Sequence, residues 1–230
     1  MISSLIWKEW HEQCWKLVFG CILFMSFTAI GLRARLVTDE TISFAVIVMA
    51  ALVLPVIVSM GLVAPERADG SFQTLLALPV ERWKILAAKT AMGVAGCIAP
   101  LLAAAVVTCV IAGGRELSTW QILAMYARGM GTVLALFLWM LALGIGLPTE
   151  ARAGLVGLGI LVIWLIGSMG MSMNQAGWLW PFSPLGFLPM PEAREMVSRP
   201  LAALSAHALI VPGLWALAAW RLAREEGSPQ

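Results

Sequence analysis

The sequence predicts an all-α, polytopic membrane protein with six transmembrane helices. Of 230 residues, 60% are hydrophobic and 12% are charged, where a soluble domain carries about 25% charged residues. The mean hydropathy is +0.89. The apolar residues also gather into six runs, each near the ~20 residues that a helix needs to cross a bilayer. Short polar turns separate them, so residues 1–230 read as a single transmembrane domain.

Residues 1–16 read as an N-terminal amphipathic interfacial helix. Ile2, Leu5, Ile6 and Trp10 share one face, and Ser4, Lys8, His11 and Glu12 lie opposite. Glu9 intrudes on the apolar side. Trp7, Trp10 and Trp15 suit the headgroup layer, where an indole is half wet and half dry. His11 reads as a solvated surface residue. The spans follow at roughly Leu17–Leu32, Ile42–Ala64, Ile85–Ala112, Ile122–Leu147, Ala153–Met173 and Leu201–Leu222. Pro55, Pro100 and Pro212 fall inside spans, where a proline frees a carbonyl and can bend the helix.

Residues 174–200 form the longest loop after the spans begin. Trp178, Trp180, Phe182 and Phe187 stand among Pro181, Pro184, Pro189 and Pro191. That mixture does not make a simple span. It suggests short re-entrant helices at the outer interface, with a surface helix over Glu192–Arg199. The basic residues set the orientation. Lys8, Lys16, Arg67, Arg82, Lys84, Lys89, Arg152, Arg221 and Arg224 outnumber Arg33, Arg35, Arg115, Arg194 and Arg199 on the other side. Both termini are therefore expected in the cytoplasm.

The most polar segment is 65–84, between the second and third spans. Phe72, Leu75, Leu76, Pro79, Val80 and Trp83 recur at helical spacing on one face. Asp69 or Ser71 can cap the start, and Pro79 ends or kinks the helix about two turns later. Such a helix is too short to cross a bilayer and should lie flat on its surface. Glu66 and Arg67, then Gly70-Ser71-Phe72-Gln73-Thr74-Leu75-Leu76-Ala77-Leu78-Pro79-Val80, then Arg82 and Lys89, resemble a stretch of the type-2 ABC exporter permeases. Gln73 departs from it, since many members of that family carry Glu there. The likeness is specific over about 25 residues, and elsewhere it is one of layout. It implies that 65–84 is a cytoplasmic coupling helix docking on a separate ATPase, through Glu66, Arg67, Gly70, Phe72, Leu75, Leu78, Pro79 and Arg82. It also implies pairing of two permease copies, a homodimer, in a cell (inner) membrane. ATP and Mg would sit on the partner ATPase, with no cofactor in this chain.

The missing chemistry narrows the function further. No span carries Asp or Glu at depth, which an ion-coupled carrier or an intramembrane aspartyl protease needs. His207 stands alone in the last span, without carboxylate neighbours for a metal. No G-x-x-x-x-G-K-[ST] loop is present, so a pump would draw its energy from another chain. No catalytic residue and no metal ligand set is expected, nor any nucleic-acid partner. Cys14, Cys21, Cys97 and Cys109 show no paired spacing and read as small buried hydrophobes. The methionines read as packing.

Arg128 reads as the one charge inside a span. Snorkelling to the outer headgroups and lining a substrate path are both open readings for it. Gly154, Gly157, Gly159, Gly167 and Gly170 mark the fifth span and would let helices approach closely, within the chain or across a dimer seam. The function expected is a permease subunit of an ATP-driven transporter, exporting an apolar or amphipathic substrate. The alternatives are a non-transporting membrane scaffold or assembly factor, and a small secondary carrier.

Overall fold

The structure is a computed structural model that describes residues 2–68, 81–115, 117–144, 147, 149–173, 181–188, 190–192, 195–197 and 200–224. Six α-helices account for most of these: α1 Ile2–Ala34, α2 Asp39–Ala68, α3 Arg82–Ala112, α4 Thr119–Gly144, α5 Glu150–Met173 and α6 Pro200–Arg224. Five of them are long and apolar enough to cross a membrane, namely the helices carrying Ile6–Ala34, Asp39–Leu62, Trp83–Ala112, Thr119–Leu143 and Leu201–Arg221. In α5 the apolar stretch is shorter, Gly154–Gly167. The fold is that of an all-helical, multi-pass membrane protein.

Helix α4 is the hub. It packs against α2, α3, α5 and α6, and its Ile122, Tyr126, Val133, Leu136 and Phe137 are among the most deeply buried large side chains. Close approach depends on missing side chains. A Cβ at Gly93 of α3 would come within 2.2 Å of the Phe137 ring, and one at Gly129 of α4 within 2.7 Å of Ile47. These glycines let α3 and α2 lie directly on α4. A polar contact adds to the packing between α3 and α4, where Thr108 and Tyr126 share a 2.9 Å hydrogen bond. A buried hydroxyl needs such a partner, since hydrocarbon offers none.

Two expectations change in detail. Residues 1–16 are not a separate interfacial helix. Helix α1 runs unbroken for 33 residues, about 50 Å at ~1.5 Å per residue. No proline or glycine interrupts it before Gly20, so nothing in the chain forces a bend at the membrane surface. It packs mainly along α3.

In the loop before α6, the described residues of Glu192–Arg199 are not helical. Met190–Glu192 and Glu195–Val197 pair as an antiparallel two-stranded hairpin, with Pro191 opposite Met196. Pro191 fixes its own φ and biases Met190 towards extended backbone, which favours a strand there over a helix. The helical part of this loop among the described residues is a 3-10 turn, Pro184–Phe187, capped by the Ser183 hydroxyl accepting from the Leu185 amide. The turn rests on α4 and α6, with Phe187 against Gly131 and its ring 4.9 Å from that of His207. His207 Nδ1 lies 2.9 Å from the Ala203 carbonyl, one turn back along α6.

Candidate functional site, an ionic joint between three helices

Where α1 begins, α2 ends and α3 begins, the chain buries a cluster of opposite charges. Lys89 of α3 is at its centre, 2% exposed. Its ammonium lies 2.8 Å from Glu9 of α1, 2.7 Å from Glu66 of α2 and 2.6 Å from the Leu62 carbonyl. An ammonium has three protons to donate, and here three acceptors surround it. Lys8 of α1 closes the ring at 2.5 Å from Glu66 and 3.4 Å from the more exposed Glu12. Gln13 adds an uncharged strut by donating to the Gly61 carbonyl at 3.0 Å. Three helices far apart in sequence are thereby fastened to one another at one end.

The electrostatics follow from burial and pairing. Glu66 is 8% exposed. Burial alone would raise its carboxyl pKa. The Lys89 charge, with hydrogen bonds from Lys8 and Lys89, outweighs that and holds it below the ordinary value. The carboxylates of Glu9, Glu12 and Glu66 come within 4.8 Å of one another, a grouping that could ligate a cation. The Lys8 and Lys89 ammonium groups already supply positive charge in that space, so the arrangement is an ion-pair network.

The residues expected to couple to an ATPase divide three ways. Glu66 is described and turns inward into the joint, so it anchors the segment's base and is not exposed for docking. Arg67 ends up in the last turn of α2 and Arg82 in the first turn of α3, and their side chains lie outside the described residues, as do Gly70, Phe72, Leu75, Leu78 and Pro79. The joint therefore brackets that segment, holding α2 just before it and α3 just after it.

Arg128 is not the one charge inside a span, because Lys89 lies within the apolar helix Trp83–Ala112. Arg128 is half-buried and lines a 480 Å³ cavity between α2 and α4. At the other end of the bundle from that cavity, Arg221 of α6 donates to the Leu143 and Ala142 carbonyls at 2.8 and 3.4 Å. A cation there satisfies the open carbonyls of the α4 C-terminus and complements its dipole.

The sequence held one signal for the joint. Glu9 sits on an otherwise apolar face of α1, and Lys89 sits in an apolar stretch of α3. Two opposite charges, each stranded among hydrophobic residues, are candidates for pairing, since an unpaired one would be costly.

A bundle of long apolar helices, bolted at one end by an ionic joint, defines a polytopic membrane protein. Residues 12–186 match the family described as ABC-2 family transporter protein. The match spans well over half of the chain, and the chain belongs to that family. It is an ABC permease subunit, which implies association with an ABC ATPase and with a membrane. No curated protein and no solved structure matches the chain.

Proposed function

We propose that this chain is the permease subunit of an ATP-driven exporter, energised by a separate cytoplasmic ATPase that docks on residues 65–84. The observation that carries this reading is the Lys89 joint. It fixes the two ends of the docking segment, through Glu66 and Lys89, to the start of α1. A push on the segment would then move α1, α2 and α3 as one body. A loop that merely anchored the chain to the headgroups would need no such fastening.

In this reading the chain has no ATPase activity and no cofactor of its own, and ATP and Mg belong to the partner. Both termini face the cytoplasm of a cell (inner) membrane, which puts the joint and Arg221 inside and the hairpin outside. Two copies form a homodimer around the pathway. Support for pairing comes from α5, where Leu155, Ile163 and Ile166 are exposed and a Cβ at Gly159 or Gly167 would meet nothing within 4 Å. The glycines expected to bring helices together thus divide. Gly154 and Gly157 pack inside the chain, against Met60 and Met140, while Gly159 and Gly167 face outward. The cargo is apolar or amphipathic, which suits walls with few charges.

Leu78→Asp and Arg82→Glu test the docking segment. Each should leave the protein folded and membrane-inserted while lowering transport per ATP hydrolysed at least tenfold, roughly the loss of 1.4 kcal/mol of coupling. Normal transport by both variants would contradict the proposal.

A further inference from the structure

Arg128 sits eight residues beyond Trp120, about 12 Å along α4 at ~1.5 Å per residue. Among the described residues it has no hydrogen-bond or ion-pair partner. A cation at that depth is costly unless it faces a partner or a cavity. Arg128 faces a cavity, of 480 Å³, within the usual range for a small-molecule site (~300–1,000 Å³). Phe44, Ile47 and Leu188 supply apolar walls, and Gln121 and Glu40 line it nearer the helix ends. Phe44 keeps 39% of its surface exposed. Glu40 and Arg128 line the same space without pairing to each other.

We propose that this cavity is a binding site for an amphiphile whose head carries a single negative charge or is zwitterionic, with Arg128 as the group that recognises the anion. The proposal names the substrate class at the pathway of the permease reading and rests on that reading for its transport meaning. Arg128 offers a planar fork of donors that matches a phosphate or carboxylate. The apolar walls and the volume exceed what an inorganic anion would fill, and they suit the start of a hydrocarbon chain. Glu40 at the mouth repels a second negative charge and favours an ammonium, which excludes polyanionic heads. Leu188 comes from the segment just after the 3-10 turn packed on α4, so the outer loop forms one wall of the site.

The test is native mass spectrometry of the purified complex from neutral maltoside detergent, titrated separately with oleate, phosphatidylglycerol, inorganic phosphate and dodecyltrimethylammonium. One anionic amphiphile per permease chain should be retained. Arg128→Gln should weaken its retention by about tenfold or more, the loss expected for a charge-assisted hydrogen bond. Ala124→Trp, which fills the same cavity and leaves the charge in place, should do likewise. Retention of phosphatidylglycerol alone assigns the site to a two-chain membrane lipid. Retention of oleate as well assigns it to an incoming single-chain amphiphile. The proposal is overturned if both variants retain the anionic amphiphiles as the parent does. It is also overturned if the cationic amphiphile binds as well, or if inorganic phosphate alone occupies the site. The same spectra report whether an ATPase travels with the permease. Its absence would count against the proposed docking of an ATPase and leave the Arg128 result standing on its own.

Discussion

Inside an apolar bundle the Lys89 ammonium donates to Glu9 and to the Leu62 carbonyl and pairs with the Glu66 carboxylate. Removing one side of such a cluster leaves its partners buried and uncompensated. Lys89→Met should therefore destabilise the protein by about 3–5 kcal/mol, read as a lowered melting temperature in detergent. Glu12→Gln, at the exposed rim of the cluster, should cost under about 1 kcal/mol. The pH dependence has a definite sign. The Glu66 carboxyl is held below its ordinary value of 4.5. Its contribution is fully present above that value and is lost as the pH falls through the lower value it has in the folded chain. The melting temperature should hold from neutral pH to about 5 and fall below that. At this scale the sequence was half legible. Glu9 already broke the amphipathic pattern of the first helix. Its partner lies 80 residues away, and only the packing of α1 along α3 brings them together. The same holds for Arg128, whose surroundings depend on how α4 is rotated against α2, which hydropathy does not record.

Among the elements, α4 sets the arrangement because three neighbours approach it at glycines or deliver large side chains to it. Gly93 is the tightest of these positions. Its replacement by Val would force the Phe137 ring to move, at a cost of about 1–3 kcal/mol. Phe137→Leu in the same chain should recover part of that loss, because residues in contact are not additive. Thermal unfolding of the two single variants and the double variant reads the coupling, and strict additivity would contradict the close α3–α4 approach. The positions of the long described helices were legible, since long apolar runs bounded by polar turns leave little choice in a bilayer. Local detail near the ends was less so. A continuous α1 replaced an interfacial helix plus a span, because amphipathicity at the first turns reflects contact with α2 and α3 and not only a membrane surface. Where a helix was expected over Glu192–Arg199, the described strands Met190–Glu192 and Glu195–Val197 pair instead, a choice favoured by Pro191.

For the whole molecule, the family match and the multi-pass bundle make this chain one part of a larger machine. The account joins three of its surfaces to three tasks. In the proposed function the polar segment 65–84 would meet the ATPase, the open face of α5 a second copy, and the Arg128 cavity the cargo. The ionic joint would turn the first of these into motion of α1, α2 and α3. The type of subunit was legible in the sequence because the stretch from Glu66 to Lys89 resembles that of type-2 ABC exporter permeases. The Arg128 cavity was not, because it is built from residues of separate helices that share no local pattern. The central claim is that the chain works as a dimer on a separate ATPase. The most direct measurement is the intact mass of the gently purified assembly, with its components identified. The account predicts two permease chains with two nucleotide-binding subunits, and loss of those subunits when Leu78 and Arg82 are both changed. A folded, monodisperse permease that carries no ATPase, or one whose ATPase is retained after both changes, would contradict it.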